Sequence, residues 1–239
     1  MKEELYIWYN RNYLKKEGFP LSDNITLFDT FESANVRFKN ISEWAVLSYR
    51  DISFPPENEK YKFPLKQFLV LKQKIKTISF DYIEYHSNVK IVSESFLNFL
   101  KYNGLETNQY EIAELTIVDK NGKLLTEKKY FALRFGTFDD ELFDFNEPTK
   151  RRTKVHGSTN YLFPDLSLKY LLPGKSIFVL KHFSYRETII FKECVLDSVI
   201  QFQSPEIYKL KDFPYIYENQ YDEELLPIKN QYQINQINK

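Results

Sequence analysis

A stretch from Ile91 to Phe135 reads as a helix followed by a β-hairpin, and no other part of the chain constrains the fold as tightly. The run Ile91-Val92-Ser93-Glu94-Ser95-Phe96-Leu97-Asn98-Phe99-Leu100 opens the helix, with Phe96, Leu97 and Leu100 on one face. Ser93 is placed to accept a first-turn N–H, which stabilises a helix start by roughly 1 kcal/mol. Glu94 sets a negative charge at the positive end of the helix dipole. Val92 and Leu97 have the spacing of a hydrophobic staple, and Gly104 supplies a left-handed terminator. Tyr110 to Val118 and Leu124 to Phe135 then read as strands joined at Asp119-Lys120-Asn121-Gly122, where Asn-Gly provides the positive φ values of a tight turn. Ile112, Leu115, Ile117 and Val118 do not alternate, so the first strand is expected to be covered on both faces.

Other apolar runs predict further strands. These are Leu5–Tyr9, Ile25–Phe31, Phe68–Leu71, Ile78–Tyr85, Ile177–Leu180, a strand ending near Phe191, and Ile207–Leu210. Trp44–Tyr49 fits strand or helix. In Ile78–Tyr85, the residues Ile78, Phe80 and Tyr82 are expected to face one way and Ile83 the other. Pro164–Leu172 reads as a short helical turn ended by Pro173-Gly174. Val195, Leu196, Val199 and Ile200 fall at helical spacing, and Ser204-Pro205 would end that helix. Phe and Tyr are abundant (21 and 18 residues) and suit pleated, half-buried surfaces. The expected class is α+β: mostly antiparallel sheet with a few short helices. No Gly-, Pro- or Ser-rich linker interrupts the chain, so residues 1–228 read as a single α+β domain. Residues 229–239, rich in Asn, Gln and Lys, read as a loose polar tail. A shift of 99 positions aligns Ile91 with Ile190, Glu94 with Glu193, Leu97 with Leu196 and Asn98 with Asp197. That alignment is either an internal duplication or chance.

Lys plus Arg equals Asp plus Glu, 33 each, so no global charge draws the chain to nucleic acid or an anionic membrane. No run approaches the eighteen apolar residues of a membrane span. The start, Met1 to Tyr6, is charged and lacks the apolar core of a signal peptide. The single cysteine, Cys194, permits no intrachain disulfide and fits a reducing compartment. Cytoplasmic location is the expectation.

Catalytic patterns do not emerge. His86, His156 and His182 lack metal-ligand spacing, so no metal and no cofactor is expected. Cys194 opens an apolar helix, where a thiol can be activated, but free cysteines are usually small buried hydrophobes and that is the preferred reading. His156-Gly157-Ser158 is not a nucleophile elbow. Trp8, between Tyr6 and Tyr9, fits an interface anchor or a core residue equally well. The segment Asp139, Asp140, Glu141, Asp144 and Glu147 carries interleaved aromatics. Its plain reading is a solvated loop; its sharper one is a docking surface for a basic partner. The basic run Lys150–Lys154 follows at once and can pair with it.

Tyr6-Ile7-Trp8-Tyr9-Asn10, Val92-Ser93-Glu94-Ser95-Phe96-Leu97-Asn98-Phe99-Leu100, Phe178-Val179-Leu180 and Glu193-Cys194-Val195-Leu196-Asp197 together resemble immunity proteins of bacterial polymorphic toxin systems. The resemblance is to the forty-third immunity family, related to the eleventh. Lys192-Glu193 stands where the helix start at Ser93-Glu94 would predict a second serine. The resemblance implies an α+β fold and a non-catalytic role, neutralising a cognate protein toxin by stoichiometric binding. The competing expectations are an enzyme whose site is assembled from distant residues, and a self-associating domain.

Overall fold

The computed structural model describes residues 3–9, 18–20, 24–31, 44, 53–72, 75, 77–86, 89–154, 161–181, 188–221 and 227–228. In chain order the first strands are β1 (Leu5–Tyr9), β2 (Ile25–Phe28), β3 (Lys66–Leu71), β4 (Tyr82–His86), β5 (Val89–Ser93), β6 (Tyr110–Asp119) and β7 (Tyr130–Phe135). Then come β8 (Phe143–Asp144), β9 (Arg151–Arg152), β10 (Tyr161–Leu162), β11 (Ser167–Leu168), β12 (Ile177–Val179), β13 (Ile189–Lys192) and β14 (Glu206–Lys209). The helices are α1 (Glu94–Tyr102), α2 (Leu196–Val199) and α3 (Phe213–Glu218). The class is α+β, dominated by antiparallel and mixed sheet, as expected from the aromatic strand runs. Backbone contacts gather the chain into two compact units: 1–14, 103–105 and 138–239, and 15–102 with 106–137.

The second of these units is built on a six-stranded sheet ordered β2-β3-β6-β7-β5-β4, in which only β3 and β6 run parallel. Its core face gathers Ile25, Leu27, Leu69, Leu71, Ile91 and Leu115, each buried. The edges of the sheet curl toward one another: the Leu27 N–H on β2 donates to Tyr85 Oη on β4 at 3.1 Å. Helix α1 lies against the opposite face, with Phe96 stacked on Tyr82 at 5.2 Å between ring centroids. Burying such a side chain fully contributes roughly 1.5–3 kcal/mol.

The helix start follows its cap. Ser93 Oγ accepts the Phe96 N–H at 3.3 Å and donates to Asp81 Oδ1 at 2.7 Å. Ile91, Val92 and Ser93 belong to β5 rather than to the helix, because their backbones pair with β7. Gly104 has a φ of 102°. The Gly122 N–H donates to Asp119 O at 3.0 Å in the hairpin turn, but β7 begins only at Tyr130.

Two expectations fail here. Strand β6 does alternate: Ala113, Leu115 and Ile117 are buried while Glu114 and Thr116 are exposed. Its outer face is therefore not covered along its length. Ile78–Asp81 are not strand; Phe80 and Ile83 share the core face, and Tyr82 turns to α1.

The other unit centres on a four-stranded antiparallel sheet, β12-β13-β1-β14. One face carries Leu5, Ile7, Phe178, Ile190 and Tyr208 into a core shared with Phe213 of α3. The other buries Trp8, whose ring lies 4.4 Å from that of Phe191 and whose Nε1–H donates to Ser204 Oγ. Trp8 is thus a core residue. The 99-residue alignment places Ile91 and Ile190 on buried strand positions and Glu94 and Glu193 at the first residue of the following helical turn. Pro164–Leu172 is not helical, because Ser167 and Leu168 pair with Asp144 and Phe143. Trp44 alone of the run 44–49, and none of the tail 229–239, lies within the described residues.

Candidate functional site

The acidic segment folds into a short 3₁₀ turn, Asp140–Leu142, followed by β8. Its five carboxylates have different fates. Asp139 is buried, and its Oδ2 accepts the Val179 N–H at 2.9 Å while its own N–H donates to Val179 O at 2.8 Å. Its other oxygen lies 2.8 Å from Lys175 Nζ. Asp140 Oδ2 accepts the Lys181 N–H at 2.9 Å. Asp139 therefore satisfies both outer backbone groups of Val179 on β12, the edge strand of its sheet, and Asp140 satisfies an N–H of the segment that follows it. Unprotected edges of this kind recruit other strands.

Glu141 and Asp144 are exposed, and neither carboxylate meets a cation among the described residues. Glu147 pairs with Lys150 at 3.1 Å within its own turn. The basic run reaches elsewhere as well: Arg151 Nη2 lies 3.2 Å from Glu218 Oε2 of α3, and Glu218 also accepts the Lys154 N–H.

Across from the acidic segment, β11 continues into Lys169, whose N–H donates to Leu142 O and whose ammonium donates to Glu141 O, both at 2.9 Å. Tyr170 follows directly, beyond the last pair of the β8–β11 ladder. The chain then turns at Leu172-Pro173-Gly174-Lys175, where the Lys175 N–H donates to Leu172 O at 3.4 Å. Gly174 has a φ of 80°, the position that favours glycine in a type II turn. Lys192 Nζ holds Leu172 O at 2.9 Å. Between these fixed points Tyr170 and Leu171 are 66% and 78% exposed. The reading of this stretch as a helical turn hid them; the apolar pair placed just before Pro-Gly was the available signal.

The second unit carries an open cleft of about 740 Å³, walled by Trp44, Phe63, Tyr110 and Ile112. Several charged groups at or beside it are held by its own residues. Arg134, 1% exposed, donates through Nε and Nη2 to Glu111 Oε2, through Nη1 to Trp44 O and through Nη2 to Tyr61 O. Glu111 Oε1 accepts the Phe63 N–H, and the guanidinium stands 5.0 Å over the Phe63 ring. Asp29 accepts the Trp44 Nε1–H at 2.7 Å, and Glu59 pairs with Lys62. Burial raises the pKa of the Tyr110 phenol. This is the wiring of a clamp that ties Trp44, Tyr61 and Phe63 to the sheet.

Cys194 is exposed, 3.4 Å from Ser176 Oγ, so the expectation of a buried thiol is overturned. Its neighbours Val195 and Leu196 take the buried positions of that turn. His156 and His182 lie outside the described residues. No group of three or more His, Cys, Asp or Glu among the described residues is arranged to hold a metal ion. No described helix is long and apolar enough to cross a membrane.

Comparison with known proteins adds one match: the family described as Immunity protein 43 fits residues 10–225. No curated protein matches the chain.

Proposed function

The chain belongs to the Immunity protein 43 family, and from that premise we propose that it neutralises a cognate bacterial toxin by binding it stoichiometrically. The toxin belongs to a polymorphic toxin system, and the chain acts in the cytoplasm of the cell that makes it, without turnover. The family match over residues 10–225 carries this reading. The geometry is in keeping with it. At the cleft Arg134 pairs with Glu111, Lys62 with Glu59, Asp29 accepts from the Trp44 indole and Lys60 stands over the Tyr61 ring, whereas an active site needs groups poised for a reacting atom. Of the acidic segment, the carboxylates of Asp139 and Asp140 are used by the fold. Glu141, Asp144 and Glu147 remain at the surface, where negative charge favours encounter with a basic partner.

Co-expression tests the reading. The C-terminal domain of a large secreted protein encoded next to this chain is expressed in a bacterial host with and without it. Growth is restored by the chain, and the purified pair forms a complex of fixed stoichiometry. Titration then separates binder from enzyme. Activity of the toxin falls linearly to an end point at a whole-number ratio for a binder. Full inactivation at a small fraction of that ratio identifies an enzyme, and absence of rescue by the folded chain overturns the proposal.

A further inference from the structure

We propose that Tyr170 and Leu171 form the apolar centre of the surface that contacts the toxin, with Glu141 and Asp144 as its acidic rim. The proposal rests on the immunity reading above. Single exposed apolar residues are ordinary on any protein surface. Here two adjacent ones, 66% and 78% exposed, project between anchored neighbours. Lys169 ties one side to Glu141 and Leu142, and the Leu172–Lys175 turn with the Lys192 ammonium ties the other. A loop held this way loses little freedom on binding, so more of the contact energy appears as affinity.

The charge around the pair selects the partner. Glu141 and Asp144 are exposed and meet no cation among the described residues; the cations of the flanking turn, Lys175 and Lys192, are paired with Asp139 and Glu3, and Lys169, which donates to Glu141 O, keeps its charge, so two open carboxylates stand against one open ammonium. A complementary protein face has an apolar recess bordered by Lys or Arg. The occupant is therefore a basic face of the toxin.

Two double variants test this against the neighbouring toxin domain, silenced at its own active site. Tyr170→Ala with Leu171→Ala removes the centre, and Glu141→Lys with Asp144→Lys reverses the rim. Both pairs are at the surface, and an unchanged melting temperature verifies the fold. The first variant weakens binding by about 100-fold, mainly through faster dissociation. The second slows association by about 10-fold at low salt, and the difference closes near about 0.5 M salt. Wild-type binding with both variants within about threefold of it overturns the surface and leaves the immunity reading standing. Failure of the wild-type chain to bind at all overturns both. A wild-type dimer in light scattering that Tyr170→Ala with Leu171→Ala dissolves assigns the patch to self-association and also overturns the proposal.

Discussion

Asp139 and Val179 exchange two hydrogen bonds, one through the aspartate's backbone N–H and one through its carboxylate, at 2.8 and 2.9 Å. A side chain thus stands in for half of a neighbouring strand along the edge of β12. The same carboxylate holds Lys175, so one acidic residue satisfies a backbone donor and a half-buried ammonium together.

Asp139→Ala takes this carboxylate away from both of those groups. Loss of a charged acceptor from a buried donor costs about 2–4 kcal/mol. Urea denaturation reads this as a lower midpoint. Asp139→Asn keeps one carbonyl oxygen toward Val179 and loses less. A midpoint for the alanine variant equal to wild type would show that the β12 edge does not depend on this cap.

Arg134 supports a second prediction. It is nearly inaccessible, and its donors are divided among Glu111, Trp44 O and Tyr61 O. Arg134→Met strands the Glu111 carboxylate and two carbonyls, and costs about 3–5 kcal/mol. Adding Glu111→Leu removes the orphaned charge and recovers part of the loss. Chemical denaturation of the two single variants and the double variant measures the coupling; strict additivity would refute it.

The strands on which these residues sit were largely legible. β1, β3, β12 and β13 are short runs of aromatic and branched side chains, and Ser93 announced the start of α1 through its cap. The misreadings share a cause. In β6, Ile112 and Val118 lie near the strand ends, and they obscured the true alternation of Ala113, Leu115 and Ile117 with Glu114 and Thr116. Ser167 and Leu168 became strand only because Phe143 and Asp144, more than twenty residues earlier, offered a partner. The acidic segment was visible as a cluster. That Asp139 and Asp140 differ in role from Glu141 and Asp144 depends on Val179 and Lys181, 40 and 41 residues away, and no local pattern encodes that.

Acid sensitivity follows from Glu4. The ammonium groups of Lys209 and Lys211, each 2.8 Å away, hold its carboxyl down from the ordinary 4.5 to about 2. A carboxyl whose pKa is lower folded than unfolded contributes stability that is complete above the unfolded value. That contribution disappears as pH falls through the folded value, here between about pH 5 and about pH 2. The difference in urea midpoint between wild type and Glu4→Gln therefore narrows across that window as pH is lowered. A difference that stays constant from neutral pH to pH 2 would remove Glu4 from the account.

Gln67 makes the opposite kind of prediction, a substitution that stabilises. On β3 it shares the face of Leu69 and Leu71, is 1% exposed, and lies in register with Leu115 of β6. Neither its amide nitrogen nor its amide oxygen has a hydrogen-bond partner among the described residues. A buried polar group without partners costs about 1–3 kcal/mol, and methionine fills nearly the same volume without carrying that cost. Gln67→Met is therefore expected to raise the urea midpoint by an amount equivalent to about 1–2 kcal/mol. The sign is the informative result. A drop in stability would mean that the amide is hydrogen-bonded in solution, with a buried water as the natural partner for two adjacent polar atoms in an apolar core.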